Sequence, residues 1–225
     1  MFTEEQVNTA LLELKDPDVA SWELFTEASN FKVFRRTVAK SALKEYKVLG
    51  TYPDLPVRYL LRAYTDLEHR KSWDKNMANW KQLDANRLHF TSKFPWPLSP
   101  RDYVYELGIQ EYGNGVVCIN GKSVEDPAMP EKPGTVRVDE YRQDVVIQPT
   151  EDGRGCRIWF AYFDNPKGNI PSSIVNWAAK SGVPSFLNAL RNAGHSLMKQ
   201  DAETGRSEKT QPLSALETPS IGVDC

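Results

Sequence analysis

Residues Asp164 to Leu190 read DNPKGNIPSSIVNWAAKSGVPSFLNAL and join a turn to an unusually apolar helical segment. After the turn, apolar residues recur at helical spacing, which predicts one long helix near the end of the chain. Gly182 to Pro184 interrupts that periodicity. Because proline removes a backbone donor and collides with the preceding turn, at a cost of about 3 kcal/mol in a regular helix, we expect a local break there. A helix this apolar needs a surface to cover.

Alternating aromatic and β-branched residues predict that most of the chain before this helix forms β-strands. We expect two strand stretches and then three hairpins, at residues 21–36, 42–52, 80–94, 102–124 and 134–165. A first helix capped by Thr3 and short helices over residues 57–77 complete the order of elements.

This order predicts an α+β fold, with the helices segregated from an antiparallel sheet. After the first two strands, the hairpins supply about six or seven antiparallel strands. Such a sheet has one face that tolerates water and another face that must be covered. The last helix is long and apolar enough to cover it, so we expect the sheet to curl around this helix with an internal cavity for a ligand between them.

The composition is typical of one globular domain followed by a tail. Of the 225 residues, 40% are hydrophobic and 26% are charged, and the net charge of −2 argues against nucleic acid as a partner. Residues 201–225 are polar, contain Ser, Thr and Pro, and lack apolar periodicity. We therefore expect a domain over residues 1–200 and a disordered C-terminal tail over residues 201–225.

Several features of the sequence indicate a cytoplasmic protein. The first residues are acidic and lack a basic segment followed by an apolar one, so no secretory signal is predicted. The longest apolar runs fall far short of the ~20 residues that span a bilayer. The three cysteines, Cys118, Cys156 and Cys225, lack CxxC spacing, which favours reduced thiols over a disulfide framework.

Motifs for catalysis and for metal or cofactor binding are missing from the sequence. There is no HExxH, GxSxG, Walker-type loop or GxGxxG, and the three histidines are far apart. Cys118 and Cys156 lie among strand residues, where a buried structural thiol is commoner than a nucleophile. We therefore predict no catalytic residues, no metal and no cofactor.

Charged and polar residues fall where they could face the expected cavity. Arg70 and Asp74 are four residues apart on a helical stretch, where the carboxylate can orient the guanidinium. The alternative for this pair is a weak surface ion pair. Tyr141 and Gln143 share one side of a strand, which is either the cavity side or the solvated face of the sheet.

Aromatic residues on two neighbouring strands add to this set. Phe90 and Tyr103 each lie on an apolar strand face, where ordinary core packing is the alternative. Together with the arginine, these rings suit a zwitterionic ligand. A phosphate favours a bidentate arginine, and a quaternary ammonium favours aromatic faces, each contributing ~0.5–2 kcal/mol when desolvated.

Four segments of the sequence resemble START lipid-transfer domains, and within them the branch that binds phosphatidylcholine. The segments are YTDLEHRKSWD, FPWPLSPRDYVY, VRVDEYRQ and YFDNPKGNIPSSIVNWAAKSGVPSFL, and the resemblance covers residues 1 to 200. It implies a helix-grip fold, in which a curved antiparallel sheet wraps around the C-terminal helix and one phosphatidylcholine is enclosed between them.

The resemblance also implies roles for individual polar residues. In this branch a helix arginine binds the lipid phosphate beside an aspartate, and these residues correspond to Arg70 and Asp74. Tyr64 and Gln143 correspond to residues near the head group.

The same resemblance implies a cage of three aromatic side chains around the choline group. Tyr103 and Tyr141 match two members of the cage, and Phe90 stands where the family has tryptophan. Because tryptophan is the strongest cation–π partner, this difference predicts weaker choline binding or a more relaxed selectivity toward ethanolamine lipids.

We predict a monomeric intracellular carrier that contacts membranes transiently and moves phosphatidylcholine between them. The alternatives are a carrier of another phospholipid such as phosphatidylethanolamine, a lipid-sensing module that regulates a protein partner, and a hydrolase or cyclase that uses the same cavity. The break at Gly182 to Pro184 has two interpretations. Either the last helix swings aside there as a gate that also touches the bilayer, or the kink is static and fits the curvature of the sheet.

Overall fold

A curved sheet organises the described part of the chain, residues 2–28 and 30–205, in this computed structural model. Within these residues it has ten strands: β1 Glu23–Ala28, β2 Phe31–Thr37, β3 Lys44–Tyr52, β4 Met77–Gln82, β5 Arg87–Ser92, β6 Arg101–Tyr112, β7 Val116–Ser123, β8 Val136–Val138, β9 Tyr141–Pro149 and β10 Cys156–Asp164. The spatial order is β1-β2-β3-β10-β9-β7-β6-β5-β4, and all neighbours along it pair antiparallel.

Five α-helices accompany the sheet within the same described residues. They are α1 Glu4–Glu13, α2 Val57–Thr65, α3 Leu67–Trp73, α4 Ser172–Trp177 and α5 Val183–Glu203. Helix α1 begins with the predicted capping box, since the Gln6 amide N–H donates to the Thr3 hydroxyl at 3.2 Å and the Thr3 amide donates to the Gln6 side chain at 2.9 Å. The architecture confirms the predicted α+β helix-grip fold.

Three local expectations were wrong. Residues 21–52 contain three strands where two were expected. The first strand of the last hairpin, expected to be continuous, is divided into β8 and β9. Strand β8 pairs parallel to β6, with Tyr103 opposite Val138, so the sheet is not purely antiparallel. By contrast, the short helices expected over residues 57–77 are present as α2 and α3. They are separate because Asp66 adopts an extended backbone, and its carboxylate accepts the His69 N–H of α3 at 3.0 Å.

The two faces of the sheet are covered by different helices. On the convex face, α1 packs Val7 and Ala10 onto a small core that includes Val116, Cys118 and Val146. On the concave face, α2 and α5 pack onto the larger core. Cys118 and Cys156 are buried free thiols, and burial raises the pKa of each to about 12, so the structure confirms them as core residues.

The predicted break in the C-terminal helix is present and has a defined form. Helix α4 passes into a π-helical turn over Ala178–Gly182, and α5 begins at Val183 with Pro184 in its first turn. Proline is tolerated there because the first-turn N–H groups have no partner within the helix. Helix α5 continues to Glu203, so the expected tail from residue 201 begins with helix. Residues 206–225 of that tail lie outside the described residues.

Helix α5 is held closely against the rest of the concave core. A Cβ added at Gly194 would come within 2.5 Å of a methyl group of Leu55, which is fully buried. The Tyr52 hydroxyl donates to the Leu187 carbonyl at 2.8 Å, and the Arg62 guanidinium pairs with Asp201 at 2.7 Å. These contacts fix α5 along most of its length.

We predict that Gly194→Ala destabilises the protein although alanine is the better helix former. Overpacking against Leu55 costs about 1–3 kcal/mol, and the gain in helix propensity is about 1 kcal/mol, so we expect a net loss. Urea unfolding measures this change in the free energy of unfolding. Asn192→Ala, at an exposed position of α5, is the control and should be neutral or slightly stabilising. An equal or higher stability of Gly194→Ala would contradict the close approach.

Candidate functional site

The concave face is filled unevenly along its length. At one end its side chains are fully buried beneath α5, among them Ile119, Ile147 and Leu190. Toward the other end, inward-facing rings remain half-buried, including Tyr46 and Tyr162. Two pockets of about 240 and 440 Å³ open on the convex side, against α1. We call the end of the concave face with half-buried rings the looser end. Polar groups and aromatic rings meet there inside the fold.

Arg70 lies at this looser end and is held by a neighbouring carboxylate. Its Nε donates to Asp74 Oδ2 at 2.9 Å, and Nη1 makes a long contact of 3.5 Å with the Tyr64 carbonyl. Asp74 is only 5% exposed, and its other carboxylate oxygen accepts the Asn76 amide at 3.0 Å. The sequence alternative of a surface ion pair is wrong. A guanidinium has five N–H donors, so Arg70 retains donors for an added anion.

Aromatic rings surround the Arg70 guanidinium. Its central carbon lies 5.0 Å from the Tyr64 ring, 5.3 Å from Phe90, 5.7 Å from Phe186 and 6.0 Å from Trp73. Burial by itself lowers the pKa of Arg70, but the charges of its neighbours, Asp74 among them, outweigh burial and raise it. The arginine therefore stays positively charged inside an apolar enclosure.

Tyr64 and Gln143 meet across the interior, from α2 and β9. The Tyr64 hydroxyl donates to Gln143 Oε1 at 2.8 Å, and Gln143 is 4% exposed. The expectation that Gln143 could lie on a solvated face is therefore wrong. Gly121 makes room for this pair, because a Cβ there would lie 3.1 Å from the Gln143 side chain and 3.3 Å from the Tyr141 hydroxyl.

Phe90, Tyr103 and Tyr141 form a continuous row of rings on the sheet. The centroids of Phe90 and Tyr103 are 6.4 Å apart, and those of Tyr103 and Tyr141 are 5.5 Å apart. Tyr105 and Tyr162 extend the row, at 5.5 and 5.9 Å from Tyr141. Since Phe90 also contacts Arg70, the structure brings all seven residues predicted for the site into one cluster.

The structure adds residues that the sequence analysis did not select. Trp73 and Phe186 contact Arg70, and the Trp73 indole N–H is buried with no acceptor among the described residues. Tyr105 follows Tyr103 at a spacing of two, which places both on one strand face and could have identified it from the sequence. Tyr162 and Asp164 enter the site only through the pairing of β10 with β9, which no local pattern reveals.

Asp164 ends the row of rings. The Tyr103 hydroxyl donates to Asp164 Oδ2 at 3.0 Å, and Tyr141 lies directly opposite Asp164 in the β9–β10 ladder. Burial raises the pKa of the Asp164 carboxyl, and hydrogen bonds from Tyr162 and Tyr103 only partly oppose this effect. Burial also raises the pKa of Tyr103, so its hydroxyl remains a donor at neutral pH. The site therefore has a guanidinium at one end and a carboxyl group at the other.

We predict that Asp164→Asn stabilises the ligand-free protein at neutral pH. The folded state favours the protonated carboxyl, so the contribution of Asp164 to stability is fully present below about pH 4 and is lost as the pH rises through the raised pKa. The gain from Asp164→Asn should accordingly vanish at low pH. Urea unfolding between pH 4 and pH 8 measures this dependence.

Asp152→Asn provides a control of opposite sign for this measurement. Hydrogen bonds from the Thr150 hydroxyl and Arg154 lower the pKa of Asp152 to about 2, so its ionised form stabilises the fold above pH 4. Asp152→Asn removes this ionised carboxylate and should therefore destabilise the protein at neutral pH. A pH-independent effect of Asp164→Asn would contradict the raised pKa.

Comparison with known proteins places this architecture in a family. The START domain profile matches residues 3–200. The phosphatidylcholine transfer protein of Bos taurus is 38% identical over 200 residues, which cover 85% of this chain and 93% of that protein. The mitochondrial StAR-related lipid transfer protein 7 of Homo sapiens is 34% identical over 182 residues, which cover 76% of this chain and 49% of that protein.

The solved structures agree on the fold. Human STARD10 superposes with a TM-score of 0.73 at 20% identity, covering 92% of this chain and 85% of that one. Human StAR-related lipid transfer protein 5 superposes with a TM-score of 0.70 at 19% identity, covering 86% and 95%. Among residues 2–28 and 30–205, every helix is too short or too polar to cross a bilayer. The chain belongs to the START domain family.

Proposed function

We propose that this protein binds one phosphatidylcholine molecule in its concave interior and transfers it between membranes. The observation that carries the proposal is Arg70, a charged guanidinium enclosed by rings at the end of an aromatic row. The 38% identity to a phosphatidylcholine transfer protein over most of the chain supports the same ligand. A cytoplasmic location, a monomeric state and a lipid-dependent protein partner remain predictions.

The phosphate of the lipid would bind to Arg70. Asp74 fixes the guanidinium through Nε, which leaves the terminal nitrogens for two phosphate oxygens. Tyr64 and Gln143 are hydrogen-bonded to each other beside this site and would turn to the polar groups of the lipid head.

The choline group would occupy the row of rings formed by Phe90, Tyr103 and Tyr141. A quaternary ammonium cannot donate a strong hydrogen bond, so it favours aromatic faces over carbonyls or hydroxyls. Phe90 is the weakest wall of this cage, and phosphatidylethanolamine is the alternative ligand that it would admit.

The proposed activity is transport without reaction chemistry. A hydrolase or cyclase needs an acid or base that faces the ligand. Of the residues predicted for the site, Asp74 has the only carboxylate, and it is already held by Arg70 and by a backbone amide. Enclosure is sufficient for transport, because each CH₂ removed from water contributes about 0.8 kcal/mol. A lipid with two acyl chains can therefore cross an aqueous compartment only inside such a shell.

Two exposed tryptophans support a transient contact with the bilayer. Trp96 is 90% exposed and Trp177 on α4 is 45% exposed. Tryptophan is favoured at membrane interfaces, where its ring is partly buried among head groups. Arg101 joins the loop that carries Trp96 to the loop that precedes α4, since it donates to the Ser99 carbonyl at 2.6 Å and to the Pro166 carbonyl at 2.9 Å.

The gate for lipid entry would be α4 with its π-helical turn, not the whole C-terminal helix. Helix α5 is held by the contacts of Gly194, Leu187 and Asp201 described above. The π-helical turn is held more lightly, and one contact is the hydrogen bond from the Thr26 hydroxyl to the Ala179 carbonyl at 2.7 Å. A short segment that pivots at this turn would open the interior without unpacking the core.

Arg70→Ala tests the binding site. We expect it to lower phosphatidylcholine loading by about a hundredfold, because truncating one partner of a buried charge pair costs about 2–5 kcal/mol. Loading is measured by native mass spectrometry after incubation with phosphatidylcholine vesicles. Arg70→Lys retains the charge without the planar guanidinium, so its loading should lie between that of Arg70→Ala and that of the wild type. Arg154→Ala, at an exposed turn, is the control and should load as the wild type does. Normal loading of Arg70→Ala would contradict the proposal.

A disulfide across the proposed gate tests its movement. In the double variant Thr26→Cys/Ala179→Cys, oxidation would tie β1 to the π-helical turn. We expect the oxidised protein to retain bound lipid but to lose transfer between vesicles, and reduction to restore transfer. The single variant Thr26→Cys is the control. Transfer at the wild-type rate in the oxidised form would favour a static kink.

A further inference from the structure

We propose that Asp164 is the anionic wall of the head-group site and selects lipids whose head group carries a positive charge. This inference rests on the proposed function and adds a counter-charge to the three rings. It assigns Asp164 as a specificity-determining residue, whereas the rings alone provide only cation–π attraction.

Asp164 lies beside Tyr103 and Tyr141 at the end of the row of rings. Its Oδ2 accepts the Tyr103 hydroxyl at 3.0 Å, and its backbone pairs with that of Tyr141 across the β9–β10 ladder. Directly paired residues point to the same face of a sheet, so the carboxylate and the Tyr141 ring share the concave face. Asp164 therefore borders the space in which a head group would contact Tyr103 and Tyr141.

Arg101 and Lys167 make their direct contacts with groups other than Asp164. Arg101 donates to the carbonyls of Ser99, Pro166 and Lys167 at 2.6, 2.9 and 3.0 Å. The Lys167 ammonium pairs with Asp139 at 2.6 Å. Across residues 2–28 and 30–205, no ion pair includes Asp164. The carboxylate thus has hydroxyl partners but lacks a paired cation.

This arrangement leaves the carboxylate of Asp164 without a cation in direct contact at the choline end of the site, and Arg101 attracts it only through space. Asp164 is half-buried, and a carboxylate that is partly removed from water without a paired cation is destabilised. Burial accordingly raises the pKa of its carboxyl group. An enclosed quaternary ammonium would remove that cost by Coulomb attraction, which needs no hydrogen bond. Arg70 lies at the other end of the same row, next to Phe90. The two ends therefore match the negative phosphate and the positive nitrogen of a zwitterion.

The test compares two lipids that differ only in charge. One is dioleoyl phosphatidylcholine, and the other is its isostere in which the ammonium nitrogen is replaced by carbon, a phosphatidyl 3,3-dimethylbutyl ester. The full-length protein is incubated with vesicles containing equal amounts of both and is then separated from the vesicles. The bound lipids are extracted, and liquid chromatography with mass spectrometry gives their ratio. Shape and acyl chains are identical, so this ratio reports the response to the charge.

We expect the wild-type protein to prefer phosphatidylcholine, and Asp164→Asn to lower the ratio by about tenfold. The rings remain in this variant, so a smaller preference should persist. Asp144→Asn is the matched control, because Asp144 is a half-buried carboxylate of the same sheet whose pKa burial also raises, and it borders the pocket on the convex side. Its ratio should equal that of the wild type.

An unchanged ratio in Asp164→Asn, or equal uptake of both lipids by the wild type, would overturn the role of Asp164 and leave the carrier function standing. Uptake of neither lipid by the wild type would overturn the proposed function together with this inference. Should Asp164→Asn fail to fold, Asp164→Ser removes the same charge with a smaller side chain and decides the question by the same ratio.

Discussion

The uneven packing of one helix against a curved sheet is the constraint on which the rest of this structure depends. Gly194 brings α5 so close to Leu55 that this end of the concave face is solid. At the other end the chain changes to a π-helical turn and a short helix, and several of the rings there, including Tyr141 and Tyr162, remain half-buried. A binding site can form only where packing is incomplete. Its position therefore follows from where α5 begins, at Val183.

The electrostatics of the looser end follow from the same arrangement. Arg70 and Asp164 come from elements far apart in sequence and lie at opposite ends of one aromatic row. Each charge is away from bulk water, where attraction to an opposite charge is strong and an unpaired charge is costly. Rings are suitable spacers because they exclude water and also attract cations. The fold therefore presents a complement to a zwitterion before any ligand binds.

Particular residues show which features of the structure local sequence patterns could predict and which they could not. The helical spacing of Arg70 and Asp74, and the alternation that carries Tyr141 and Gln143, correctly placed these pairs together. The apolar spacing indicated short helices over residues 57–77 but not the boundary between them. That boundary is Asp66, which caps the second helix and so also ends the first. Strand β8 has too few residues for an alternation to be recognised, and its parallel pairing requires β6 from a distant part of the chain.

Residue order and chemistry alone were enough to establish the α+β class, the break before Pro184 and the segments shared with START domains, since each depends on neighbours within a few residues. Only the tertiary structure decided three other features. They are the aromatic contacts of the Arg70 guanidinium, the position of Asp164 in the candidate site, and the close packing of α5 on the concave core. Strand register and helix docking set those distances, and both depend on burial summed over the whole concave face rather than on any one segment.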